Sequence, residues 1–346
     1  MKNIARVLTA LGGLILALTG CGHLAAPLAA RRVPAKPPYR PLPLNLALGK
    51  PNEVGDIPIL EYHELTPPGQ TATGYGYTSA QFKDDMERLY KLGYRPISLS
   101  SLVSGKIDCP PGKSPFVLTF DDAARGQFDY LPNGQIDPNC AVGILLQMHA
   151  EHPDWPLRGT FFVLPIKGGT TYFYQKGLSK RKLQWLVANG FEVGNHTVHH
   201  LPGLENFPDL RVEAEFAEAA HRIDQVLPGY DVDELALPYG VFPHDQKLVR
   251  SGAYKGMSYH NICAMLAGAS PAPAPVTKPF NAYRLQRIIP GNGFFEEGYW
   301  LKWLQAHPDF RYVSDGDPNT VTVPAKLASE AVPSRLAALG LHLRTY

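Results

Sequence analysis

FVLTFDDA, residues 116–123, is the stretch on which the reading of this chain turns. Phe116-Val117-Leu118-Thr119-Phe120 is a short apolar run, and it reads as a fully buried strand. Two carboxylates, Asp121 and Asp122, stand where the run stops. Adjacent like charges at the mouth of a core repel each other and are costly to desolvate. Their placement asks for a compensating cation.

Other segments repeat the pattern on both sides of this strand. Strands are expected at 57–62, 95–99, 159–164, 191–194, 234–237 and 283–289, besides 116–120. Helices are expected near 79–92, 140–150, 179–189, 209–227 and 243–251. Alternating βα units predict a parallel sheet or barrel covered by helices. A long polar loop, 123–140, follows the carboxylate pair directly, and a low-complexity Ala/Pro stretch, 267–279, reads as a surface loop. There is no internal repeat.

The chain has 346 residues, 45% hydrophobic and 18% charged, which is the composition of a globular protein. Lys and Arg total 33 against 31 Asp and Glu, so no basic field argues for nucleic acid and a neutral partner is expected. The protein is expected to be a monomer. At the N-terminus Lys2 and Arg6 precede an apolar segment, Val7–Leu18, too short for a comfortable membrane span. It runs into Leu18-Thr19-Gly20-Cys21, which resembles the lipobox of bacterial lipoproteins. That resemblance implies a signal peptide over 1–20 and a lipid on Cys21. The protein is then expected outside the cytoplasm, anchored to the bacterial cell membrane. Residues 21–52, with RRVPAKPPYRPLPL, read as a Pro/Ala-rich tether of polyproline character, and 53–346 as one catalytic domain. Cys109 and Cys140 flank the central strand and are candidates for a disulfide, which an exported protein permits.

Further polar residues cluster just beyond the expected strands: His63 after IPILEY, His196, His199 and His200 after FEVGN, and Pro238-Tyr239-Gly240 after ELAL. In a parallel α/β sheet or barrel those C-terminal ends share one face, where ligand sites form. His196 and His200 would be neighbours if the chain turned helically there. Two imidazoles and Asp122 make an N,N,O set that leaves positions open for water and substrate. Asp121 is then free to take a proton from the water. Taken singly, an Asp-Asp pair is usually a turn or cap and a lone histidine usually a satisfied core residue. Together at strand ends they read as a site.

These residues resemble the polysaccharide deacetylases, carbohydrate esterase family 4. Thr119-Phe120-Asp121-Asp122 is similar to the family's TFDD motif, His196-Thr197-Val198-His199-His200 to its His-[Ser/Thr]-x-x-His motif, and Leu237-Pro238-Tyr239-Gly240 to the segment walling its groove. PILEYH resembles the opening of the branch that deacetylates polymers such as poly-β-1,6-N-acetylglucosamine. The resemblance implies an irregular (β/α) barrel. It also implies Asp121 as general base, Asp122, His196 and His200 as metal ligands (His199 being the rival for the last place), and the Tyr239 N–H as oxyanion donor. His63 would be the general acid. Pro238 and Arg287 are placed at the substrate. The expected cofactor is a divalent cation, zinc first, with Co2+, Ni2+, Mn2+ or Fe2+ also suited to such a set.

Two departures stand out. Many relatives carry an arginine two residues before the motif proline, where it orients the catalytic aspartate; here that residue is Ala236. The C-terminal Leu-x-His motif is also missing, and YRLQRIIPG (283–291) offers Arg287 but no histidine. The expected reaction is hydrolysis of N-acetyl groups on an extracellular or wall polysaccharide. The rival readings are an O-acetyl esterase acting on xylan or peptidoglycan, and an inactive glycan-binding lipoprotein. Sugar-stacking aromatics are sought in Tyr130, Trp155, Tyr172, Phe173 and Tyr174.

Overall fold

The structure, a computed structural model, describes residues 39–74 and 76–346. The expected signal peptide and the expected lipid site Cys21 lie outside the described residues. The chain divides into Met1–Arg40 and a compact unit, Pro41–Tyr346, which holds every element named below. Among the described residues no helix is long and apolar enough to cross a membrane.

A parallel sheet forms the centre. Its strands are β1 (Ile59–Tyr62), β2 (Tyr94–Ile97), β3 (Ser114–Phe120), β4 (Thr160–Val163), β5 (Glu192–Asn195), β6 (Glu234–Ala236) and β7 (Cys263–Met265). The order is β1-β3-β4-β5-β6-β7, with β2 also paired to β3. Six of the strands read from the sequence are present, each within two residues of its expected ends.

The seventh, 283–289, is not a regular strand. Leu285 bridges to Met265 in β7, and Ile288 bridges to Leu60 in β1. This irregular segment therefore links the two edges of the sheet and curls it into a barrel. Its neighbour β7 was missed, because Cys263-Ala264-Met265 is too short to carry a period.

Helices α1 (Ser79–Lys91), α3 (Ala141–Glu151), α4 (Ser179–Ala188) and α5 (Asp209–Val226) fall within one residue of their expected bounds. Thr78 and Gln81 close a capping box at the start of α1, whose Phe82, Met86 and Leu89 face the core. The helix expected over 243–251 is only a 3-10 turn, Gln246–Val249, followed by a hairpin of Ser251–Tyr254 with Met257–His260. The sequence also gave no warning of α2 (Leu99–Ser104) or α6 (Glu297–Ala306).

Period-2 alternation along β3 divides its side chains between two cores. Phe116, Leu118 and Phe120 join the cluster that packs against α1, α3 and α4, whereas Val117 joins Ile59, Phe162, Ala236 and Met265 in a second one. Thr119 and Asp121 follow Val117 at two-residue spacing, so their side chains share its face of the sheet.

The Ala/Pro stretch 267–279 is not a surface loop along most of its length. Ala272 exchanges backbone hydrogen bonds with Ile57, and Ala272, Ala274 and Val276 are buried. Side chains this small let the backbone approach the core closely. Upstream, the Leu42 N–H donates to Asp317, Asn52 pairs with Val313 and the Tyr346 hydroxyl donates to the Pro51 carbonyl. The segment 41–52 thus lies against the folded unit. Cys109, Cys140 and Cys263 are free buried thiols, so the proposed pairing is not formed; Cys109 and Cys140 sit in different core clusters.

Candidate active site

The site gathers at the C-terminal ends of β1, β3, β5 and β6. β3 ends at Phe120, and the backbone then enters the left-handed region at Asp122 (φ 74°) and Ala123 (φ 49°). That reversal is how two adjacent aspartates face one place. Thr197 (φ 66°), His200 (φ 50°) and Tyr239 (φ 57°) share the conformation. Among the described residues, half of the ten non-glycine positions with positive φ belong to these three loops. Strain of this kind persists where surrounding structure over-determines it.

Here the determinants are visible. Asn195 accepts from the Thr197 N–H at 2.8 Å, and the Thr197 hydroxyl accepts from the His200 N–H at 3.1 Å. Glu215 of α5 accepts from the N–H groups of Val198 and His199. Gln127, fully buried, donates to the carbonyls of His63 and Asp121 and ties the β1 and β3 loops together. The segment 196–200 is therefore a clamped loop and not the helical turn expected.

His196 and His200 meet with ring centroids 4.8 Å apart. Asp122, His196 and His200 each offer a ligand atom, all within 4.8 Å of one another. His196 Nδ1 lies 3.0 Å from the Ala236 carbonyl, an acceptor, so Nδ1 carries the proton and the Nε2 lone pair faces the site. That Nε2 is buried with no hydrogen-bond partner, 3.5 Å from both Asp121 and Asp122. A buried acceptor left open between carboxylates fits a cation, and the donor set is one that divalent metals take. His199 is not part of the set: its Nδ1 lies 2.8 Å from Glu215, outside the mouth.

Arg287 reaches in from the segment that joins the sheet edges. Its two terminal nitrogens hold the Asp121 carboxylate bidentately at 2.6 and 2.7 Å, and one also bonds Glu61 at 2.9 Å. Expected at the substrate, it is instead buried and spent on carboxylates. It makes, from another part of the chain, the contact to the aspartate that the resemblance assigns to an arginine at position 236. Burial alone would raise the Asp121 carboxyl, but Arg287 and His196 outweigh it and hold the group well below the usual carboxylate range.

Glu61 shows the reverse balance. Burial raises it, Arg287 offsets part of that, and Asp121 adds to it. One of its oxygens has no partner, and the other lies 3.8 Å from His63 Nε2. Glu61 was missed in the sequence, although it precedes by two residues His63, which directly follows β1, and lies 3.8 Å from it. Gln127 and Glu215 carried no signal in a single sequence.

Tyr239 is exposed, its ring 4.7 Å from that of His200, at the tip of a 3-10 turn. Pro238, also placed at the substrate, is buried beneath that turn and shapes it. Of the candidate sugar-stacking rings, Trp155, Tyr172 and Phe173 are fully buried and Tyr130 nearly so; only Tyr174 is exposed.

Residues 109–259 match the family model described as polysaccharide deacetylase. The chain carries a polysaccharide deacetylase domain, a hydrolase on the irregular (β/α)-barrel scaffold of that class. Its fold is similar to that of the Streptococcus pyogenes deacetylase PplD, solved in complex with acetate. There the identity is 19%, the TM-score 0.50, and 68% of this chain and 92% of that chain are covered. It is also similar to the Bacillus cereus polysaccharide deacetylase BC0361, at 16% identity and TM-score 0.50, covering 74% of this chain and 69% of that one. A comparison with curated proteins finds no match in sequence. The matched stretch includes Asp121, Asp122, His196, His200 and Tyr239, and leaves His63, Glu61 and Arg287 outside it.

Proposed function

We propose that this protein hydrolyses N-acetyl groups on an extracytoplasmic polysaccharide, with a divalent cation held by Asp122, His196 and His200. The observation that carries the reading is the open, buried Nε2 of His196 beside an aspartate that Arg287 keeps ionised. The chemistry a divalent cation supplies in such a site is polarisation of the acetyl carbonyl and acidification of the attacking water.

The chain's own groups account for the rest. Asp121, unprotonated at neutral pH and fixed by two charge-assisted bonds, accepts the proton of the water. The Tyr239 N–H, presented by the strained turn, donates to the oxyanion that develops on the carbonyl. His63 gives a proton to the amine nitrogen, without which nitrogen leaves poorly. Acetate and a free amino sugar result. Zinc suits the set best, with cobalt, nickel, manganese and iron also compatible. Export and anchoring through Cys21 would set this chemistry outside the cytoplasm, with the segment after Cys21 as tether.

An acetate-release screen tests the reading, using purified protein, each of these metals, and N- and O-acetylated glycans. Acetate should come from N-acetylated polymers, and Asp121→Asn should lower turnover by about 10²–10⁴. Release only from O-acetyl esters would move the reading to an esterase. No release from any substrate by protein with cation bound would sink it.

A further inference from the structure

The rings picked out in the sequence as sugar contacts are mostly core, yet the molecule does carry a surface of aromatic side chains. Phe294 is 73% exposed, Phe295 41% and Phe310 52%. Single exposed apolar side chains need no explanation, but a contiguous group does. Phe294 meets Phe295 at 4.0 Å and Tyr299 at 4.9 Å, Phe295 stacks on Trp300, and Trp300 leads to Trp303, 5.7 Å away. A cleft of about 460 Å³ runs along this face of α6, lined by Asn292, Phe294, Tyr299, Lys302, Trp303 and His307.

Two links tie the patch to the active site. Arg287, on Asp121, is followed by Ile288 on β1 and then by the loop that bears Phe294. Phe294 is seven positions beyond Arg287, so their backbones lie at most about 25 Å apart. On the other side the Tyr239 turn abuts the 267–269 loop so closely that a Cβ on Gly240 (φ 67°) would fall 2.4 Å from the Ala267 nitrogen. The same loop accepts the Trp300 indole N–H at the Ala269 carbonyl, 2.6 Å away.

We propose that this aromatic cleft binds further sugar units of the same acetylated glycan strand whose acetyl group lies at Asp121, and so acts as a distal subsite. The inference rests on the deacetylase reading above. A pyranose ring offers an apolar C–H face and a rim of hydroxyls and amides. Aromatic floors with amide, ammonium and imidazole groups between them match both features. Phe294 protrudes enough to make a bilayer the rival occupant, but the amide, ammonium and imidazole groups of Asn292, Lys302 and His307 between the rings favour a sugar.

The test uses the full protein and pentamers of β-1,4- and β-1,6-linked N-acetylglucosamine as probes, read by tryptophan fluorescence and calorimetry. Phe294→Ala and Trp303→Ala should each weaken pentamer binding about three- to tenfold. They should raise the KM for polymer by a similar factor, with a smaller change in kcat. Trp303→Phe, which keeps a ring, should stay within about twofold of the parent. Pentamer affinity unchanged in both alanine variants, or no pentamer binding by the parent, would overturn the proposal. So would binding to phosphatidylglycerol vesicles that the variants lose while pentamer affinity stands. Failure of the deacetylase reading has a different signature: no acetate is released, yet the pentamer measurements still read the cleft.

Discussion

Two groups of buried charges in this molecule are built on opposite plans. One joins residues 52–53 and 314–317 to the paired strands Thr320–Val323 and His342–Thr345. There Glu53 accepts from the N–H groups of Asp315 and Thr322, Asp315 takes the Asp317 N–H, the Thr322 hydroxyl and Arg344, and Asp317 takes the Asn319 N–H and the Thr320 hydroxyl. Each carboxylate is met by several donors. The other group, at the barrel mouth, holds Asp121, Glu61 and Arg287 just as tightly on one side, but leaves His196 Nε2 and a Glu61 oxygen buried without partners. Burial and charge are alike in both. What separates scaffold from site is which lone pairs are unmet: beside Asp315 it is the Asn52 amide oxygen, whereas at the mouth it is an imidazole nitrogen and a carboxylate oxygen, the donors a cation takes.

The contrast can be broken by substitutions that exchange the two behaviours. The largest expected effect is on rate, with Asp121→Asn as described above, while Asp315→Ala should leave turnover per folded molecule within about twofold. On stability the order reverses. Asp315→Ala strips Arg344 and Thr322 of their acceptor and should cost about 3–5 kcal/mol in urea unfolding, whereas Asp121→Asn, which keeps shape and leaves Arg287 on Glu61, should cost about 1 kcal/mol. Arg287→Ala should fail on both counts, with about 3–5 kcal/mol lost as Glu61 and Asp121 face each other without a cation between them. If Asp315→Ala abolished turnover in folded protein, the division into scaffold and site would be wrong.

A smaller effect concerns pH. Burial, with Asp85 nearby, pushes the Glu297 carboxyl up to about 7, where it accepts from Tyr62 and Arg88 behind the site. The folded state then binds a proton more readily than the unfolded one. This stability is present in full below about 4.5 and is lost as pH rises through about 7. Metal-free protein should lose up to about 3 kcal/mol between pH 4.5 and 7 from this group, and Glu297→Gln should flatten that slope. An unchanged slope in the variant would assign the pH dependence elsewhere.

Much of this was legible in the sequence because strands buried on both faces announce themselves as apolar runs, and their C-terminal ends then carry the polar residues. Asp121, Asp122, His196 and His200 could be found that way. Arg287 could be noticed but its role could not, because its segment lies 166 residues from Asp121 and makes only isolated bridges to the sheet. The aromatic run from Phe294 to Phe310 went unread, since exposure has no signature in composition. Tyr172 and Phe173 misled for the same reason: loop-like neighbours in sequence, core in space.

The central claim is that Asp122, His196 and His200 form one cation site while the buried Asp315 group forms none. Calorimetric titration of metal-stripped protein with Zn2+ and Co2+ tests it directly. The account predicts one equivalent bound by the parent and by Asp315→Ala, and affinity lower by at least about a hundredfold in His200→Ala and Asp122→Asn. A parent that binds no cation, or a His200→Ala variant that binds it as the parent does, would contradict it.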